Sequence, residues 1–157
     1  MRVSSSRPVR RVAICGVGLI GGSIALDLLR SRRREVDIVA YDRVAVLKRL
    51  RQDRRFRIRA ESRLSEAVRG TDLVVLAAPL AANQKILERL GRIKDLNDML
   101  IIDTGAVKSP ISGLAASLPF ASGTQFLATH PMAGGERSGA GSAGSGLFKG
   151  RPWFVNE

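Results

Sequence analysis

The 157-residue chain has one cysteine, one histidine, one tryptophan and one tyrosine, and aromatic residues make up only 4% of it. A single cysteine, Cys15, excludes an internal disulfide, and a single histidine, His130, leaves no cluster with zinc-ligand spacing, so no metal is expected. A lone thiol makes the reducing cytoplasm the default location. Long apolar runs are missing too: 73-LVVLAAPLAA-82 is far too short to span a bilayer and carries Pro79, so no membrane association is expected. Residues 1–8, rich in Ser and Arg with no apolar segment, read as a disordered tail rather than a secretory signal. The scarcity of aromatics also bears on the net charge of +12, which is concentrated at one end. Residues 1–69 hold 18 basic against 7 acidic side chains, and residues 70–157 hold 8 against 7. Without aromatics interleaved among those arginines there is no stacking surface for single strands, and a solvated basic face with no specific nucleic-acid partner is the expectation.

What is present is enough for one packed domain over residues 9–157: 45% hydrophobic and 25% charged residues describe a soluble globular chain. The apolar pattern alternates strand and helix throughout. Strands are expected at 10-RRVAIC-15, 37-DIVAY-41, 56-FRIRA-60, 72-DLVVLAA-78, 99-MLIID-103, 125-QFLATH-130 and 152-PWFVNE-157. Helices are expected over 19–30, 44–52, 63–68, 84–90 and 109–118, the last with Pro110 in its first turn. Such alternation predicts an α/β fold of Rossmann type: a doubly wound, mainly parallel sheet in a three-layer sandwich. Trp153 and Phe154 are expected to pack the last strand. The segment 138-SGAGSAGSG-146 reads as a flexible linker or a mobile flap.

Between the first strand and its helix stands 16-GVGLIG-21, a Gly-x-Gly-x-x-Gly, and Asp42 follows at the end of the next strand, 21 positions after Gly21. In that context the motif predicts a dinucleotide site over Gly16, Val17, Gly18, Leu19, Ile20 and Gly21. Gly16 permits the tight turn, Gly18 lets the backbone approach a pyrophosphate, and Gly21 lets helix and strand pack closely. The phosphates would rest on the helix N-terminus, where unpaired N–H groups favour anions. A carboxylate at Asp42 accepts hydrogen bonds from the ribose hydroxyls and repels a 2′-phosphate, which favours NAD. Arg43 and the basic helix behind it argue the other way and keep NADP as the alternative.

In an open parallel sheet, ligands bind beyond the carboxyl ends of the strands. Three strands end there in 77-AAP-79, 103-DTGAVK-108 and 129-THPMAGGE-136, which puts Ala78 and Pro79 near the cofactor, Asp103 either there or as a cap on its own loop, and His130 on the same edge. A neutral imidazole at that address can take the proton of an alcohol as hydride leaves the carbon bearing it.

The combination 16-GVGLIGGSIA-25, 74-VVLAAP-79, 103-DTGAVK-108, 130-HPMAGGERSG-139 and 147-LFKGRPW-153 resembles the nucleotide-binding domain of prephenate and arogenate dehydrogenases, over nearly the whole chain. The resemblance implies NAD-dependent oxidative decarboxylation of prephenate to 4-hydroxyphenylpyruvate in tyrosine biosynthesis, with a small-molecule substrate. By it, His130 matches the histidine that deprotonates the ring hydroxyl, Glu136 falls on an acidic active-site position, and Lys108 on the lysine of an Asp-x-x-Ser-x-Lys pattern, which puts all three among the expected catalytic residues. The chain departs from the pattern at Ala106, where the family has a serine. It also ends before the helical dimerisation domain the family carries, so a homodimer or a separately supplied helical domain is the implied partner. Besides prephenate dehydrogenase, the readings that stay open are arogenate dehydrogenase, a non-catalytic NAD-binding module or truncated half-enzyme, and a hydroxyacid or imine-reducing relative.

Overall fold

The computed structural model describes residues 8–31, 36–96, 98–134 and 139–156. They form strands β1 (Arg11–Cys15), β2 (Asp37–Tyr41), β3 (Arg59–Glu61), β4 (Leu73–Leu76), β5 (Leu100–Asp103), β6 (Gln125–Pro131) and β7 (Trp153–Asn156). Helices α1 (Leu19–Arg30), α2 (Val44–Gln52), α3 (Leu64–Ala67), α4 (Leu80–Leu90) and α5 (Ser109–Ser117) lie between them. The sheet runs β3-β2-β1-β4-β5-β6-β7, parallel except for β7, which is antiparallel to β6. Order and direction are those of a doubly wound Rossmann-type sheet with one added edge strand. Among the described residues no helix is long and apolar enough to cross a membrane.

The three layers follow from alternation along the strands. Val12 and Ile14 of β1 face one side with Ile38, Ala40 and Val75, and there meet Ala25 and Leu26 of α1 and Leu47 and Leu50 of α2. Ala13 and Cys15 face the other side with Val74, Leu76 and Ile101, under α3, α4 and α5. Leu47 and Leu50, spaced three apart on a helix that also carries Lys48, Arg49 and Arg51, are at most 2% exposed, and each such burial contributes about 2 kcal/mol.

Four local expectations change. The strand expected over 56–60 begins only at Arg59, because a turn closed by Phe56 N–H on the Asp53 carbonyl (3.0 Å) drives Phe56 into the core beside α1. The helix expected from residue 84 begins at Leu80. Asn83, 1% exposed, accepts a hydrogen bond from Ala78 N–H (3.1 Å) and donates one to the Leu76 carbonyl (3.3 Å), which ties the first turn to β4. Trp153 and Phe154 lie on the edge strand, 38% and 59% exposed, although Trp153 still meets Phe148 at 5.3 Å between ring centroids. The described part of the glycine and serine segment, from Gly139 on, is neither linker nor flap: it is docked on α1. Ala143 is buried, Gly144 N–H bonds Ser23 Oγ (3.1 Å), and Gly146 N–H bonds Asp27 Oδ1 (2.6 Å). Arg30 reaches Ser145 Oγ, and Arg55, gripped by Asp53 at 2.6 Å, donates to the Ala143 carbonyl at 2.8 Å.

Candidate active site

Strand register assembles the site. Tyr41, Cys15, Leu76, Asp103 and Ala128 stand in one row across the sheet. The next residues along, Asp42, Gly16, Ala77, Thr104 and Thr129, therefore line its carboxyl edge, with His130 one residue beyond.

The glycine turn shows which of its glycines serve the fold and which does not. Gly16 has φ of +96°, and a β-carbon there would sit 2.5 Å from Ala78 N; its own N–H bonds the Tyr41 carbonyl at 2.9 Å. A β-carbon at Gly21 would collide with the Gly16 carbonyl oxygen and lie 3.1 Å from Ala77 Cβ. At Gly18 a β-carbon would meet nothing within 4 Å, and the backbone there has ordinary negative φ. Nothing among the described residues requires glycine at 18, and the open space leaves room for a ligand to approach the backbone. Gly18 is also the cap position of α1, where no side chain accepts from the first-turn N–H groups of Leu19, Ile20 and Gly21, and no acidic residue occupies that turn. A twelve-residue helix thus presents an uncapped, electropositive N-terminus to that space.

Asp42 completes the cradle. Its Oδ2 accepts from Val17 N–H (2.8 Å) and Oδ1 from Arg43 N–H (2.7 Å), which aims the carboxylate and leaves lone pairs on both oxygens. Val17, buried and with its N–H spent on Asp42, frames the turn instead of offering a donor. Arg43 extends into solvent, 88% exposed, with Nε 3.9 Å from Asp42 Oδ1. Ala78 flanks the turn and Pro79 is exposed beside it. These groups fit a dinucleotide: room at Gly18, donors at the helix start, and a carboxylate where a ribose would end. Beneath them, burial first and the nearby Asp42 charge second push the Cys15 thiol up to about 12, against a lowering by Arg89.

Farther along the same edge, Asp103 turns its carboxylate inward. It is 1% exposed, and its oxygens accept from Lys108 Nζ (2.5 Å), Gly105 N–H (3.0 Å) and Thr129 N–H (3.1 Å). Burying a carboxylate demands such partners, and none of its capacity faces outward. Lys108 also donates to the Thr129 carbonyl at 2.5 Å, and Thr129 Oγ1 donates to the Asp103 carbonyl at 2.6 Å. His130 is half-buried, with Nδ1 3.3 Å from the Thr104 carbonyl oxygen. A carbonyl only accepts, so in the neutral ring Nδ1 carries the proton and Nε2 keeps its lone pair. Ala106 is exposed. Glu136 and Arg137 lie outside the described residues.

Sequence reasoning missed Thr104, Thr129 and Asn83. Asn83 had left a signal, since it shares a helical stripe with Leu87 and Leu90 where a buried polar group must find a partner. A groove of about 430 Å³ lies between α1, α2 and the amino end of β2, away from these groups.

An open parallel sheet in this order, with a glycine turn and a carboxylate on its carboxyl edge, defines a Rossmann-type nucleotide-binding domain. Residues 24–156 match the family described as "Prephenate dehydrogenase, nucleotide-binding domain", and the chain belongs to that family. The match begins after the glycine turn, so it rests on the remainder of the domain, His130 included. The prephenate dehydrogenase of Lactococcus lactis subsp. cremoris is 31% identical over 149 residues, which cover 95% of this chain and 41% of that protein. Among solved structures, prephenate dehydrogenase from A. aeolicus in complex with hydroxyphenyl propionate and NAD+ superposes with a TM-score of 0.80 at 25% identity, covering 98% of this chain and 52% of that one. Synechocystis arogenate dehydrogenase superposes with a TM-score of 0.78 at 26% identity, covering 93% and 49%. The chain thus spans about half or less of the length of these relatives.

Proposed function

We propose that the protein carries out NAD-dependent oxidative decarboxylation of prephenate, and that this chain supplies the nucleotide site and the base. The observation that carries the reading is the pairing of His130 with the Thr104 carbonyl at the edge that holds the glycine turn. That pairing leaves Nε2 as the acceptor of the ring-hydroxyl proton. NAD, when bound, supplies the hydride acceptor. The uncapped start of α1 and the backbone at Gly18 hold the pyrophosphate, and Asp42 takes the ribose hydroxyls. Loss of carbon dioxide from the substrate makes the ring aromatic and drives the reaction, so the chain has mainly to orient substrate and place a base. Positioned general bases contribute about 10²–10⁴ in rate. The superposition on an NAD+ complex of a prephenate dehydrogenase supports the cofactor and the substrate class together.

The test is prephenate-dependent NADH formation at saturating NAD. Turnover that falls by roughly 10²–10⁴ in His130→Asn, at unchanged NAD affinity, is the expected result. Formation of NADH undiminished in that variant, or none from a folded, NAD-binding protein, would contradict it. Turnover with arogenate alone would move the same site to the other substrate, as in the Synechocystis relative.

A further inference from the structure

Lys108 was expected among the catalytic residues, and its ammonium is engaged inside the protein. An ammonium has three donors and no lone pair, and two of the three go to Asp103 Oδ2 and the Thr129 carbonyl. The side chain is 21% exposed, and the carboxylate it neutralises is 1% exposed. Withdrawing Lys108 toward a substrate would leave that charge buried and unpaired.

The same contacts lead to the imidazole. Asp103 Oδ2 accepts from Lys108 and also from Gly105 N–H at 3.0 Å. Gly105 N and Thr104 O belong to one planar peptide unit, so anchoring the first sets the direction of the second. Thr104 is itself pinned to β4 by its N–H (3.0 Å) and hydroxyl (3.3 Å), both on the Leu76 carbonyl. Its carbonyl then points at His130 Nδ1. From the other side, Lys108 holds the Thr129 carbonyl, which shares a peptide unit with His130 N, while Asp103 Oδ1 holds Thr129 N–H at 3.1 Å. One ion pair thereby orients both the acceptor and the backbone that carries the ring.

We propose that Lys108 and Asp103 are positioning residues that set the tautomer of His130, holding the proton on Nδ1 and leaving Nε2 free as the base. The inference rests on the reading of His130 as that base, but its test needs neither NAD nor substrate. Because the chain has a single histidine, ¹⁵N NMR of the labelled protein above the imidazole titration reports one pair of ring nitrogens. Wild type is expected to show protonated Nδ1 and bare Nε2. Lys108→Met, and the charge-neutral double variant Asp103→Asn/Lys108→Met, are expected to lower the ratio of Nδ1–H to Nε2–H tautomer by roughly tenfold, the equivalent of one lost hydrogen bond. Lys108→Arg, which keeps a cation on Asp103, is expected to restore most of it. A wild-type ring protonated on Nε2, or an unchanged tautomer in folded variants, would overturn the proposal. So would unfolding of both variants, since the pair would then be a stability element with no separable effect on the ring. Failure of prephenate turnover with the tautomer pattern intact would count against the functional reading alone.

Discussion

Gly22 on α1 touches Ala143 because it has no side chain: a β-carbon at position 22 would lie 2.7 Å from Ala143 Cβ. That contact, with the bonds donated by Gly144 and Gly146 N–H to Ser23 and Asp27, docks the segment after the histidine motif onto the helix whose start forms the cofactor cradle.

Gly22→Ala is accordingly expected to push the segment off α1 and to destabilise the fold by about 1–3 kcal/mol, the range for overpacking. Amide exchange checks this directly: the Gly144 and Gly146 N–H groups should lose protection while the β1 and β4 amides keep theirs. Unchanged protection at both glycines would show that the docking does not depend on the contact.

The three motif glycines should separate in stability measurements. Gly16→Ala forces an L-residue to φ of +96° against Ala78, and Gly21→Ala drives a methyl into the Gly16 carbonyl, so each should lower stability by about 2 kcal/mol or more. Gly18→Ala points into open space at ordinary φ and should leave the unfolding midpoint within about 0.5 kcal/mol of wild type. Equal destabilisation by all three would show that the space at Gly18 is filled from within.

The choice between cofactors rests on Asp42. Asp42→Ser removes the carboxylate that Val17 and Arg43 N–H groups aim, while Arg43 remains free to meet a 2′-phosphate. NAD affinity should fall roughly tenfold to a hundredfold, the cost of lost hydrogen bonds to a charged group, and the NADP to NAD preference should rise. Titration of both dinucleotides checks this, and an unchanged preference would remove Asp42 from the ribose site.

These variants also show where sequence was informative. The order of elements, the bounds of α1, β2 and α2, and the address of His130 were legible because they follow from apolar period and from strand ends. The course of Phe56 was not: period marks it as apolar but cannot tell a strand position from a turn that inserts the ring under α1. Asp103 stood beside a plausible cofactor in the sequence, and only the convergence of Lys108, Gly105 and Thr129 on its two oxygens reveals a buried ion pair. The glycine and serine segment looked flexible by composition, whereas its order comes from partners in α1 and at Arg55, far away in sequence. Thr104 acts through its carbonyl, a group every residue has, so no side-chain signal could mark it.

Cys15 gives a pH dependence. Its pKa is raised from 9.0 to about 12 in the folded chain, chiefly by burial and then by Asp42. The folded state therefore holds a proton that the unfolded state releases, and stability present below pH 9 is lost as pH rises from 9 toward 12. Denaturant melts across that range should show a steeper alkaline loss for wild type than for Cys15→Ala. Coincident profiles would mean that the thiol ionises freely in the fold.

The space at Gly18 is the proposed dinucleotide site, and calorimetric titration of the folded chain with NAD tests it most directly. The predicted result is one site per chain, bound roughly tenfold or more weakly by Gly18→Ala at an unchanged unfolding midpoint. No binding to the folded wild-type chain, or equal affinity in the variant, would contradict it.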